Sequence, residues 1–281
     1  MCPPDLEIPL IKEPGALYTA NEIAGQPELW LKIHRQMLVD KERISSYLTE
    51  AIPLISKIIL TGAGTSAYIG LTLHGIFNRS LMVHTDAVAT TDLVSHPGNY
   101  FFSHEAIMLV SFARSGNSPE STAVVDLADK LCKKCFHVII TCDPKGQLAL
   151  WQSNSPKILI VLPPEANDKS LAMTGSYSAM LLCGLLLARL KEITNIGAQI
   201  ATLHRYGVKI LKKYAPMIRD VSSIDFKRVV FLGSGPLYGT ATESNLKLQE
   251  LTDGNIICKN HSYLGFRHGP KAVTDEDTLI V

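Results

Sequence analysis

The 281-residue sequence predicts an α/β fold built on a parallel sheet. Three observations carry that expectation. Short, continuous apolar runs alternate with stretches of helical periodicity, the pattern of strands buried on both faces between helices. Two of the apolar runs end in a Gly-x-Gly turn that opens a helix. The longest apolar stretch, Ala179 to Leu190, is too short to span a bilayer and reads as a buried helix.

The elements follow in order. Residues 1 to about 17 are proline-rich and read as irregular. Thr19-Ala20-Asn21-Glu22 then fits a capping box, with Thr at the N-cap and Glu three positions on. The helical pattern that follows runs through Leu29, Trp30, Ile33 and Leu38 toward Leu48. Lys57 to Leu60 reads as a strand, Ser66 to Asn78 as a helix, and Ala106 to Phe112 as a strand. Ser118 to Lys134 reads as a helix, His137 to Thr141 and Lys157 to Leu162 as strands, and Met173 to Leu190 as a long apolar helix. The expected units are an N-terminal helical segment (1–45), a first α/β unit (46–207) and the start of a second (208–281).

Bulk composition narrows the class. Hydrophobic residues are 46%, charged residues 19% and the net charge +1, so nothing electrostatic favours nucleic acid or a membrane as partner. The opening MCPPDLEIPLIKEPG has neither the basic nor the apolar region of a signal peptide. With six cysteines and no secretory signal, the expectation is a cytoplasmic protein with free thiols. Cys132 and Cys135 form a CxxC, but no second ligand pair follows at zinc-site spacing, so they read as incidental thiols and no metal is expected.

A repeat runs through the chain. Ile58 to Gly64 (IILTGAG) matches Val229 to Gly235 (VVFLGSG) at an offset of 171 residues, and the same offset sets Asp277 to Val281 opposite Ala106 to Val110. The sequence therefore predicts tandem units, the second of them incomplete and ending inside its second strand. Two strands alone cannot complete a sheet or bury their helices.

Two loops offer chemistry. Gly62, Gly64 and Ala67 complete G-x-G-x-x-[GA], and Asp86 follows at the distance a dinucleotide fold would use. The second loop, Ser111 to Ser121 (SFARSGNSPES), points elsewhere. It also follows a strand and opens a helix, with Ser118 at the N-cap and Pro119 early in the helix. Two hydroxyl-rich helix starts at neighbouring strand ends can converge on one phosphate monoester. No GxxxxGK[ST] is present, against a nucleoside triphosphatase. In the second unit Glu243, Lys247 and Glu250 share one helical face, which on spacing alone is equally a solvated face with ion pairs.

The strings TGAGTSAYIG, SFARSGNSPES and GFRHGPKAV together resemble the SIS (sugar isomerase) domain family, and within it the galactosamine-6-phosphate deaminase/isomerase branch. The resemblance covers nearly the whole chain. It implies a three-layer αβα sandwich with a five-stranded parallel sheet, tandem units, and about 100 further residues beyond Val281. It implies phosphate binding by Gly64, Thr65, Ser66, Ser115 and Ser118, with the amides of Arg114 and Gly116. The synthase branch of the family has Ser and Gln where this chain has Ala113 and Arg114, so a hydroxyl is lost and a cation gained. It also implies Glu250 as general base, Lys247 as a stabiliser of the enediol-like oxyanion, and His268 as the residue that assists ring opening, donated across a dimer interface. The expected reaction converts galactosamine 6-phosphate to tagatose 6-phosphate and ammonia without a cofactor. A plain ketose/aldose phosphate isomerase, a phosphosugar-binding protein without catalysis and an inactive fragment remain the other readings.

Overall fold

The structure, a computed structural model, describes residues 14–281. The chain opens with α1 (Pro14–Val39) and α2 (Lys41–Ala51), then alternates β1 (Lys57–Thr61), α3 (Thr65–Leu81), β2 (His84–Ala87), α4 (Thr90–Ser95), β3 (Ala106–Ala113), α5 (Pro119–Leu131), β4 (Lys134–Thr141), α6 (Gln147–Leu150) and β5 (Lys157–Val161). The long α7 (Gly175–Ala188), α8 (Gly197–Lys213) and α9 (Ala215–Ser222) lead to β6 (Arg228–Leu232), α10 (Pro236–Leu251), β7 (Ile257–His261), α11 (Tyr263–Phe266) and β8 (Thr278–Ile280).

The first five strands form one parallel sheet in the order β2-β1-β3-β4-β5. Alternate residues of its apolar strands face opposite layers. Ile58, Leu60, Met108, Val110 and Phe112 pack with α1, α2, α3 and α7, whereas Ile59, Ile107 and Leu109 pack with Leu93 of α4 and Val124, Val125 and Ala128 of α5. This is the expected three-layer sandwich. The apolar run at Ala179 becomes the interior helix α7, whose buried residues point to all sides because α1, α3 and the sheet surround it. Gly184 admits Phe112 and Leu73, since a Cβ there would lie 2.5 Å from Leu73 Cδ1 and 3.1 Å from the Phe112 ring.

The structure corrects two expectations and adds two strands. Thr19 lies inside α1 and caps nothing, because the helix already runs from Pro14. Glu22, the other half of the expected box, reaches across to Lys169 and Ser170 instead. Residues 1–13 of the expected irregular segment lie outside the described residues. The strands β2 (HTDA) and β7 (ICKNH) were not legible, because an edge strand pairs on one side only and can stay polar. The strand at Thr278–Ile280 is consequently the third of its sheet in chain order, not the second.

The second sheet has the order β7-β6-β8, all parallel. Its first turn repeats the backbone of the first sheet's: Gly64 has φ 56, ψ −128 and Gly235 has φ 57, ψ −130. Among the described residues no helix is long and apolar enough to cross a membrane.

Phe112 is 1% exposed and lodges against Gly184. Phe112→Ala should cost about 3–5 kcal/mol of unfolding free energy, the usual penalty for an emptied aromatic site, as read from urea denaturation. A loss below about 1 kcal/mol would contradict this packing.

Candidate functional site

The chain leaves β1 through α3 to β2 on one side, then crosses back to β3 on the other. A parallel sheet opens a crevice at the carboxyl ends of its strands where the order reverses, here between β1 and β3. The last residues in register are Thr61 and Ser111, so the two expected loops leave the sheet at one level. The hydroxyls of Thr61 and Ser111 are buried without a hydrogen-bond partner among the described residues.

The first loop is shaped by Gly62 and Gly64. A Cβ on Gly62 would lie 2.6 Å from the carbonyl carbon of Ser66, and Gly64, at the N-cap of α3, has a positive φ. The turn presents Thr65 and Ser66 in the first turn of α3, where the helix dipole favours an anion, although the Ser66 and Ala67 amides already donate to the Ala63 and Gly64 carbonyls. Both side chains are buried.

In the second loop Ser118 is the N-cap of α5 as expected, accepting from the Ser121 amide at 3.3 Å, with Pro119 next. Gly116 takes φ +65. The Arg114 carbonyl accepts from Thr141 Oγ1 and the Cys142 amide, and the Gly116 carbonyl from the Leu148 amide at 2.9 Å. The hydroxyls are partly engaged as well: Ser118 Oγ meets Ser121 Oγ at 2.6 Å, and Ser115 Oγ accepts from the Asn117 amide at 3.3 Å, which leaves the Ser115 hydroxyl free to donate. The guanidinium of Arg114 turns elsewhere: Nη1 donates to the Ser170 carbonyl at 3.0 Å.

The expected catalytic face arrives on α10. Gly239 packs where a Cβ would fall 2.2 Å from Thr72 Oγ1 and 2.6 Å from the Thr72 amide of α3. One turn on, Glu243 accepts a hydrogen bond from Thr65 Oγ1 at 3.2 Å. Contacts thus run in opposite directions along the two helices, and α10 continues past the start of α3. Lys247 lies between two carboxylates, 3.4 Å from Glu243 Oε1 and 2.5 Å from Glu250 Oε2. The face is therefore not a solvated one at its inner end, where Glu243 is only 4% exposed and its Oε2 has no hydrogen-bond partner among the described residues. Burial pushes the Glu243 carboxyl up to about 7 against the pull of Lys247 and Thr65. Tyr68 of α3 is also raised, by burial and then by the charges of Glu243 and Glu250.

With this geometry in view, the comparisons with known proteins bear on one family. No family model matches the chain. A D-galactosamine-6-phosphate deaminase, AgaS, from Shewanella sp. (strain ANA-3) is 42% identical over 275 residues, covering 95% of this chain and 69% of the relative. The crystal structure of tagatose-6-phosphate ketose/aldose isomerase from Escherichia coli superposes with a TM-score of 0.87 at 34% identity, covering 95% of this chain and 74% of that one. A structure from Clostridium novyi NT, provisionally named a tagatose-6-phosphate ketose/aldose isomerase, gives 0.92 at 43% identity, covering 94% and 68%. The chain belongs to the SIS-domain family of galactosamine-6-phosphate deaminases.

Of the family's expected residues, the structure gathers Thr65 with Glu243, Lys247 and Glu250. It does not bring His268 to them. That side chain is exposed, beside Arg267 Nε at 3.4 Å, and no hydrogen bond or ion pair links it to Lys247 or Glu250 among the described residues. Asp86, the acid of the dinucleotide pattern, faces His84 at 3.1 Å, with the His84 side chain largely exposed and that of Asp86 partly so. Cys132 and Cys135 are buried free thiols, their pKa values raised by burial, to about 11 for Cys132. Asp129, Cys135 and His137 could together face a cation. However, Asp129 bonds His137 Nε2 at 2.8 Å while Cys135 meets Nδ1 at 3.9 Å, so the ring stands between them and one ion cannot take both nitrogens.

Glu243 and Tyr68 were missed as site residues. The available signal for Glu243 was its place four residues before Lys247, on the same helical face.

Folding raises the Glu243 pKa from its ordinary 4.5 to about 7, so the folded state holds that proton more tightly than the unfolded chain. The associated stability is fully present below about pH 4.5 and is lost as pH rises through about 7, on the order of 3 kcal/mol in all. Glu243→Gln should remove that loss. Its thermal midpoint should gain on the wild type between pH 5 and pH 8, and parallel curves would refute the titration.

Proposed function

We propose that the protein is a deaminating aldose–ketose isomerase that converts galactosamine 6-phosphate and water to tagatose 6-phosphate and ammonia. The observation that carries the reading is the seating of α10 on the start of α3, which sets Lys247 and Glu250 beyond a helix terminus suited to an anion. At 1.5 Å per residue, Glu250 lies about 10 Å further along α10 than Glu243, a span suited to a sugar anchored by its 6-phosphate with C1 and C2 at the far end.

In this reading Gly64, Thr65, Ser66, Ser115, Gly116 and Ser118 hold the phosphate. His268 moves a proton between the ring oxygen and O1 as the ring opens. Glu250 takes the proton from C2, and a proton is returned at C1. The aldehyde carbon becomes a hydroxymethyl group and the amine carbon an imine, so one carbon is reduced as its neighbour is oxidised. Water then adds to the imine and ammonia leaves. Lys247 stabilises the negative charge that develops on oxygen during the transfer, held in place by its two carboxylates. The matching turns at Gly64 and Gly235, and the matching orders β2-β1-β3 and β7-β6-β8, support tandem SIS units. The exposed His268 suits donation to a second subunit, hence a homodimer or larger assembly. Metabolic phosphosugars are the expected partners and the cytoplasm the expected location.

The test is ammonia release from galactosamine 6-phosphate. Glu250→Gln should lower turnover at least about 100-fold, the low end for a general base, while galactosamine 6-phosphate still binds. Interconversion of ketose and aldose phosphates without ammonia would instead make the protein a plain isomerase. Ser66→Ala and Ser118→Ala should each weaken binding of inorganic phosphate, and unchanged binding in both would move the anion site elsewhere.

A further inference from the structure

The segment 168–172 is tied down more heavily than a connecting loop requires. At its start, Asp168 Oδ2 accepts from the amides of Thr174 and Ser176 and from Ser176 Oγ, at 2.6–2.9 Å. At its centre, two distant elements meet at Ser170. Glu22 of α1 accepts from the amides of Lys169 at 2.6 Å and Ser170 at 3.2 Å, and from the Ser170 hydroxyl. Arg114, from the second loop, donates to the Ser170 carbonyl from the other side. Beside this segment lies a cavity of about 300 Å³, lined by Lys169, Ser170, Leu171 and Ala172 together with Glu250 and Leu251.

We propose that Glu22 and Arg114 are positioning residues that hold segment 168–172 against Glu250 as the wall receiving the sugar end of the substrate. The inference rests on the assignment of Glu250 to the reacting end of the sugar. The physical case is the bonding pattern. A carboxylate and a guanidinium take up two amides, a hydroxyl and a carbonyl of this segment, and charge-assisted bonds of this kind set geometry tightly. The tip they support, Leu171, is 84% exposed, an apolar side chain held out at the cavity's edge. Arg114 is then a link between the phosphate loop and the sugar wall, rather than a cation for the phosphate. Glu22 makes the N-terminal helix part of the site.

The test is a split between two probes, inorganic phosphate and galactosamine 6-phosphate, measured by calorimetry on the wild type and on Glu22→Ala, Glu22→Gln, Arg114→Ala and Arg114→Lys. Glu22→Ala and Arg114→Ala should weaken galactosamine 6-phosphate about tenfold and change inorganic phosphate by less than about twofold. Arg114→Lys should recover most of the loss by restoring a donor, and Glu22→Gln should fall between. Equal losses for both probes, or no loss for either, overturn the tether, since a general structural defect does not distinguish the two ligands. Should Glu22→Ala fail to fold, the arginine pair carries the same split. A wild type that binds galactosamine 6-phosphate but releases no ammonia defeats the functional assignment alone, and the binding split still decides the tether.

Discussion

The site depends on how closely α10 can lie on α3. Gly239 is the point of contact, and any side chain there would meet the Thr72 backbone amide, which cannot move aside without disturbing the helix. That closeness sets the axial position of everything further along α10. Glu243 reaches Thr65, and Lys247 and Glu250 project beyond the helix start. A small wedge between the helices would leave the residues intact and the fold recognisable, but would separate the proposed phosphate-binding end from the proposed proton-transferring end.

The same contact produces the electrostatic character of the site. A carboxylate in the interior is disfavoured unless a cation compensates it, and Lys247 is shared between Glu243 and Glu250. Glu243, the more buried of the pair, keeps a raised pKa despite the lysine. A row of acid, base and acid thus runs from the start of α3 outward. Its inner member is poised near neutrality, and the shorter ion pair of the row is made to Glu250.

Much of the first unit was legible because its strands are buried on both faces and must be apolar throughout. The two glycine-bearing loops were legible for a related reason: a chain that turns sharply into a helix needs Gly64 and Gly116 at positive φ, and Ser118 as a cap. The misreadings also have local causes. Thr19 to Glu22 has the spacing of a capping box, but the helix already runs from Pro14, and Glu22 bonds the 169–170 amides instead. The edge strands β2 and β7 lacked an apolar signature because their faces are only partly covered.

By itself, the sequence determined the layered α/β fold, the two glycine-shaped turns, the hydroxyls that open the helices, and the common face of Glu243, Lys247 and Glu250. These follow from periodicity and backbone sterics, which act over a few residues. Only the tertiary structure decided that this face is closed against α3 rather than open to water, that Glu243 is its buried member, and that Glu22 and Arg114 converge on Ser170. Those outcomes depend on contacts between segments 56 to 178 residues apart, and no local pattern encodes which distant group will be the nearest partner of a charge.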